Sequence, residues 1–317
     1  MTNVLVVLTL PEPVRMQYFN HLKRHFPGVK VDMVDHHSKV DPYIGSAEVL
    51  VTFGPHVASH VFERAKNLKW VQALGTGVDG IADQPALKKD VLVTNMHGFH
   101  GGPVSEAALL AMLALARELP RSLRAQAKRK WDRFPVKLLK GKTVGIFGVG
   151  TIAAELAPKC KALGMKVVGV SSAARTVPGF DAMHGREELE QAAKDWDYFV
   201  LLTPFTPGTK NIVGAKIFAA MKPSAFFVNL ARGGVVDEDA LLGALKEKRI
   251  AGAALDVFAI EPLPKDSPFW DMENVILTQH QGGFFDGYPG FALPVVEENM
   301  RKYLAGDLKG MINVVKR

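Results

Sequence analysis

The feature that most narrows what this chain can fold into is a series of short apolar runs set between helical stretches. Residues 4–8, 29–34, 49–53, 70–74 and 91–94 are strand candidates that run largely continuously apolar rather than alternating. That is the pattern of strands covered on both faces of a parallel sheet. The rhythm resumes at 143–147, 167–170, 198–202, 226–230, 253–257 and 275–278, so the fold class is α/β with two doubly wound parallel-sheet domains. A length of 317 residues suits two domains, and 48% hydrophobic residues suffice for two cores.

Between the two series, 104–119 reads as a helix packed through Ala107, Ala108, Ala111 and Ala114 and stopped by Pro120. A second helix is expected at 295–304, with no strand after it, and returns the chain to the first domain. The second domain is then an insertion: 1–103 with 285–317 form one domain, and 104–284 the other.

Other function classes find little support. The single cysteine, Cys160, lies in an apolar helical pattern and reads as a buried thiol in a reducing compartment. The N-terminal apolar run is too short to span a bilayer and ends at Pro11 and Pro13, so a cytoplasmic location is expected. The net charge of +7 is concentrated in Arg117, Arg121, Arg124, Lys128, Arg129, Lys130 and Arg133. This segment reads as a solvated helix face or subunit-contact arm rather than a nucleic-acid or membrane patch. No metal site is expected.

The strand at 143–147 leads through Gly148, Gly150 and Ala153 into an amphipathic helix. Gly148 permits a tight turn, Gly150 lets a pyrophosphate approach the backbone, and Ala153 lets helix and strand pack closely, so this is a dinucleotide site. The next strand of such a site normally ends, about 20 residues on, in a carboxylate that binds the adenosine ribose. Here Ser171 and Ser172 occupy that end, no acidic residue lies between Glu155 and Asp181, and Arg175 follows. A guanidinium there can hold a 2′-phosphate, so NADPH is expected over NADH, with NADH still possible.

Arg232, Glu261 and His280 follow the ends of successive apolar strands, where open α/β sheets put their ligands. Reduction of a keto acid needs a hydride donor, a proton donor and a cation for the carboxylate and ketone. A nicotinamide supplies the first. A histidine kept protonated by a neighbouring carboxylate supplies the second, and arginine the third.

With Gly75-Thr-Gly-Val-Asp79, Asn95, Val104-Ser-Glu106, Leu202-Thr-Pro-Phe-Thr-Pro207, Met221-Lys-Pro223, Leu255-Asp-Val257 and Glu261-Pro262 added, the chain resembles the D-isomer-specific 2-hydroxyacid dehydrogenase family over most of its length. The resemblance implies a Rossmann dinucleotide-binding domain inserted in a flavodoxin-like substrate domain, with Arg232, Glu261 and His280 catalytic. It implies cofactor contacts from Gly148, Gly150, Thr151, Ile152, Ser171, Ser172, Arg175, Thr203, Pro204, Thr209, Ala231, Arg232, Asp256, His280 and Gly282. The substrate carboxylate would be held by the backbone of Leu74, Gly75, Thr76 and Gly77, together with Arg232 and His280.

It also implies a homodimer built on the helical part of the second domain, and a D-2-hydroxy acid product from a small 2-keto acid such as glyoxylate or hydroxypyruvate. Gln279 and Gln281 flank His280 where similar enzymes commonly carry proline before and a small residue after. That departure bears on the substrate more than on the reaction. Phe53, His56, Phe284, Phe285 and Tyr288 read as core aromatics, with a pocket role as the alternative. A dinucleotide-sensing, corepressor-like regulator of the same fold is the competing function, which the intact Glu261 and His280 disfavour.

Overall fold

The computed structural model describes residues 1–316. The chain divides into two compact units, unit 1 from Met1 to Phe99 together with the residues from Asp286 onward, and unit 2 from His100 to Phe285.

Unit 1 begins with β1 (Asn3–Val7), α1 (Glu12–His25), β2 (Lys30–Val34), α2 (Asp41–Ile44), β3 (Val49–Thr52), α3 (Ser59–Arg64), β4 (Trp70–Ala73) and β5 (Leu92–Thr94). Its strands lie in the order β2-β1-β3-β4-β5, all parallel. Leu5, Val7, Leu50, Val71 and Val93 pack one face against Ile44, Val61 and Phe62 of the short helices. The order reverses between β1 and β3, so loops leaving the C-terminal ends of neighbouring strands splay apart there.

Unit 2 contains α4 (Gly101–Ala116), α5 (Leu119–Ala127), β6 (Thr143–Phe147), α6 (Thr151–Ala162), β7 (Lys166–Ser171), β8 (Ala182–Gly185), α7 (Leu189–Ala193), β9 (Tyr198–Leu201), α8 (Ala215–Ala220), β10 (Phe226–Asn229), α9 (Glu238–Lys246), β11 (Gly252–Leu255) and β12 (Val275–Leu277). Strand order is β12-β11-β10-β9-β6-β7-β8, again all parallel. Successive residues of one strand feed opposite layers. Tyr198 and Val200 pack with Met112, Leu156 and Cys160 of α4 and α6, while Phe199 and Leu201 pack with Ala192, Phe218 and Leu241 of α7, α8 and α9. This is why the strands read as unbroken apolar runs. Burial of a side chain such as Phe227, fully enclosed in the second layer, stabilises by about 1.5–3 kcal/mol.

Three local expectations are revised. The edge strand β8 has the sequence AMHG and is only half-buried, so no apolar run announces it. Pro120 does not stop a helix at 119. α4 ends at Ala116, Glu118 takes a left-handed φ of 48°, and Pro120 falls in the first turn of α5, where its missing N–H leaves no helical bond unmade. The last helix, α10 (Tyr288–Leu304), begins earlier than 295 and carries Pro294 inside it.

α10 belongs to unit 1, where it packs on α1. A buried polar network ties it to the sheet. Asn299 Nδ2 donates to Gln72 Oε1 at 3.0 Å, Thr94 Oγ1 donates to the same oxygen at 2.9 Å, and Trp70 Nε1 donates to Thr94 Oγ1 at 2.9 Å. In unit 2, Cys160 is enclosed and burial pushes its thiol up to about 12, so it stays protonated as packing. Among the described residues, no helix is long and apolar enough to cross a membrane.

Candidate active site

Phe147 at the end of β6 pairs with Leu201 at the end of β9, so the turns that follow emerge side by side at the switch point of the larger sheet. Gly148 has a φ of 103°, and a Cβ on it would lie 2.4 Å from the backbone nitrogen of Thr203. No other residue fits that position. Gly150 is the N-cap of α6 without a side-chain cap, and the space where its Cβ would project is open to 4 Å. The N–H groups of Thr151 and Ile152, at the start of the helix, have no partner within it and offer themselves to an anion. Ala153 behind them is fully buried.

At the end of β7, Ser171 is buried and donates to the carbonyl of Ala173 at 2.6 Å, whereas Ser172 is exposed. Arg175 reaches back so that Nη2 donates to the carbonyl of Val149 at 2.8 Å, which tethers its guanidinium to the glycine turn. The turn, the helix start and this tethered cation fit a dinucleotide. Of the residues expected after β9, Thr203 is buried and Pro204 exposed. Thr209 departs from expectation. It is buried, and its hydroxyl donates to Pro204 O at 2.8 Å and accepts from Thr206 N at 2.7 Å, so it shapes the loop.

Arg232, Glu261 and His280 all lie in unit 2, beyond the C-terminal ends of β10, β11 and β12. Glu261 Oε2 and His280 Nδ1 are 2.8 Å apart, with the side chains 27% and 39% exposed, and Glu261 Oε1 accepts from Phe258 N at 2.9 Å. Burial pulls the Glu261 carboxyl up. The hydrogen bonds from His280 and Phe258 and the charges of His280 and Arg232 outweigh it and hold the group below its ordinary value. It is therefore ionised at neutral pH, and its pairing with His280 is lost only as the pH falls through that lowered value. The loops carrying Arg232 and Glu261 touch closely, since a Cβ on Gly233 would lie 1.9 Å from the carbonyl carbon of Phe258. Glu238 donates nothing to this cluster but accepts from Ala259 N at 2.7 Å, bracing the Glu261 loop from α9.

In unit 1, Leu74 to Gly77 follow β4. The Tyr288 hydroxyl donates to Leu74 O, Thr76 Oγ1 donates to Met96 O at 2.8 Å, and Asn95 Nδ2 donates to Thr76 O at 2.7 Å. Carbonyls of this turn are thus held by neighbouring donors. Tyr288 is a buried core aromatic, tilted against Phe53 and edge-on to Phe99. His56 sits beside Phe53, accepts from Thr9 N at 3.3 Å through Nδ1, and is pushed down to about 4 by burial, so it is neutral. Phe284 and Phe285 belong to unit 2, the former exposed.

Residues 109–282 match the model of the D-isomer specific 2-hydroxyacid dehydrogenase, NAD binding domain. The chain belongs to the D-isomer-specific 2-hydroxyacid dehydrogenase family. A D-3-phosphoglycerate dehydrogenase of Methanocaldococcus jannaschii is 37% identical over 269 residues, 84% of this chain and 51% of that one. The chain spans about half the length of the curated relatives it matches. Among solved structures, a D-isomer specific 2-hydroxyacid dehydrogenase family protein of Aeromonas salmonicida is 31% identical with a TM-score of 0.87, covering 99% of both chains. An NADPH-dependent glyoxylate/hydroxypyruvate reductase of Sinorhizobium meliloti, in complex with NADP and sulfate, is 29% identical with a TM-score of 0.83, covering 100% of this chain and 98% of that one.

Within this family member, two side chains organise the site in ways the sequence reading did not reach. Asn229, buried at the end of β10, accepts from Ala231 N at 3.0 Å and donates to Arg232 O at 3.3 Å, so it folds the turn that carries the arginine. Asp256 was expected against the cofactor. Its carboxylate, 3% exposed, instead holds the histidine turn: Oδ1 accepts from Gln281 N at 2.8 Å and Thr278 Oγ1 at 2.5 Å, and Oδ2 accepts from Gly282 N at 2.9 Å. His280 N also donates to Asp256 O at 2.7 Å, and His280 itself has a left-handed φ of 53°. A polar residue ending a buried strand, for Asn229, or directly following one, for Asp256, was the available signal. Replacing Asp256 with Ala orphans these donors. The expected result in denaturant unfolding is a loss of at least about 2 kcal/mol, and a wild-type unfolding midpoint would refute the assignment.

Proposed function

We propose that the chain is an NADPH-linked reductase of small, unphosphorylated 2-keto acids, with glyoxylate and hydroxypyruvate as substrates; the product from hydroxypyruvate is the D-2-hydroxy acid, and that from glyoxylate is the achiral glycolate. The observation that carries this reading is the Glu261–His280 pair standing with Arg232 beyond the strand ends of the dinucleotide unit. A bound reduced nicotinamide supplies the hydride. Glu261 Oε2, 2.8 Å from His280 Nδ1, orients the imidazole, and His280 Nε2 delivers a proton to the ketone oxygen. Arg232 pairs with the carboxylate and polarises the carbonyl. The backbone N–H groups of Leu74 to Gly77, in unit 1, are of the kind that suits a carboxylate.

The family resemblance to D-3-phosphoglycerate dehydrogenases raises a phosphorylated substrate as a second reading. A phosphate ester needs a cation to receive it. Segments 8–10, 53–58, 74–80 and 95–99, which follow β1, β3, β4 and β5 of unit 1, contain no Lys or Arg. Lys39, after β2, is paired with Asp35 at 2.8 Å, and His56 is neutral. Segments without a cation favour the unphosphorylated acids glyoxylate and hydroxypyruvate.

Preference for NADPH is supported by Arg175 on the glycine turn, by the serines at the end of β7, and by the NADP in the Sinorhizobium reductase. A homodimer is supported by apolar side chains exposed on and after α4 and α5: Leu110, Leu113, Leu123, Leu138 and Trp131, the last 94% exposed.

NADPH oxidation with glyoxylate, hydroxypyruvate, pyruvate and 3-phosphohydroxypyruvate should show turnover of the first two and little of the phosphorylated acid. His280→Ala should lower kcat by roughly a hundredfold or more while NADPH binding persists. Absence of turnover with every keto acid, or an unimpaired variant, would overturn the reading. Arg175→Ala should cost about tenfold or more in kcat/KM for NADPH and leave NADH use nearly unchanged; equal losses with both cofactors would remove the 2′-phosphate role. In sedimentation equilibrium the wild type should be dimeric and Leu110→Glu with Leu123→Glu monomeric, a result that a monomeric wild type would contradict.

A further inference from the structure

In unit 1, α1 and α10 bring together two histidines and a carboxylate that the proposed reaction does not use. His21 and His25 are four residues apart on α1 and therefore share one face of that helix. Their rings stack with centroids 4.2 Å apart and 15° between planes. Glu297 on α10 directs Oε2 at both, 2.9 Å from His21 Nε2 and 3.4 Å from His25 Nδ1. One ligand atom from each residue lies within 4.8 Å of the other two.

A tetrahedral divalent ion with nitrogen and oxygen ligands at about 2.0–2.1 Å has ligand atoms separated by about 3.3 Å along each edge. The two distances to Oε2 bracket that value. The side chains of His21 and His25 are 21% and 35% exposed, so an ion and its water ligands can reach them. Glu297 is held as a carboxylate. Arg301 lowers its pKa most, His21 and His25 add to this, and burial opposes them.

Arg301 also settles which oxygen is offered. Its Nη2 and Nε take Oε1 at 2.5 and 3.2 Å, leaving Oε2 for the imidazoles. The guanidinium, with Lys23 and Arg24 in the same last turn of α1, weakens cation binding by repulsion, while the negative end of the α1 dipole opposes that effect. Two imidazoles and one carboxylate suit borderline ions such as Zn²⁺ and are poor for Mg²⁺ or Ca²⁺, which take oxygen ligands.

We propose that His21, His25 and Glu297 form a site for a borderline divalent transition-metal ion, Zn²⁺ being the probe of choice, that clamps α1 to α10. Water completes the coordination. No residue of the site belongs to the dinucleotide turn or to the Arg232, Glu261 and His280 set, so its test is independent of the proposed activity.

The full chain, stripped of metal with a chelator, is titrated with ZnCl₂ by calorimetry and with CoCl₂ by visible absorption. Expected are one saturable micromolar site, a tetrahedral-type Co²⁺ spectrum, and a rise of Tm with Zn²⁺. His21→Ala and His25→Ala should each weaken Zn²⁺ binding by at least about tenfold and abolish the Tm rise, with circular dichroism and metal-free keto-acid turnover unchanged. Zn²⁺ binding only at millimolar concentration, or binding of equal strength in the His21→Ala, His25→Ala double variant, would overturn the proposal.

Discussion

A parallel sheet covered on both faces dictates the rest of this molecule. Once Tyr198 and Val200 are enclosed by one layer of helices and Phe199 and Leu201 by the other, the broad surfaces of the sheet are closed to ligands. Only the strand ends remain open, and right-handed crossovers put the turns that can vary at the C-terminal ends. The glycine turn after β6, the Asn229–Arg232 turn after β10, and the Glu261 and His280 loops after β11 and β12 all arise at that edge. Chemistry in unit 2 is concentrated there because packing has claimed everything else.

The same burial explains what could be read from the sequence. Strands enclosed on both sides are apolar at most positions, so β1 to β7 and β9 to β12 were legible within a residue or two. The half-buried edge strand β8 has no such requirement and left no signature. Pro120 carries information about N–H groups that both a helix end and a helix start can satisfy, and the left-handed Glu118 decides between them. Reading Arg232, Glu261 and His280 needed only their order after strands. Assigning Asp256 and Thr209 needed hydrogen-bond partners from elsewhere in the same loops, which spacing does not encode.

Family membership and substrate choice rest on different parts of the chain. The family match at 109–282 falls entirely within unit 2, the part that handles the dinucleotide and carries the proposed proton donor. Segments of unit 1 that would meet the variable end of a substrate lie outside it. Relatives that share the family match can therefore differ in the acid they take, and the preference proposed for this chain rests on the segments of unit 1 without Lys or Arg that carry Thr9, Phe53 and His56.

The left-handed backbone of His280 has a consequence for stability. An L-residue with a side chain beyond Cβ pays about 1 kcal/mol or more in that conformation, and glycine does not. The Asp256 carboxylate offsets this by gripping the peptide groups on the C-terminal side of the histidine. Position 280 is thus one where the backbone alone would favour glycine, and a protein with glycine there would be relieved of that strain while losing its imidazole. With His280 as the proposed proton donor, drift toward greater stability at this site runs against turnover, and a thermostabilised descendant would have to find its stability somewhere else.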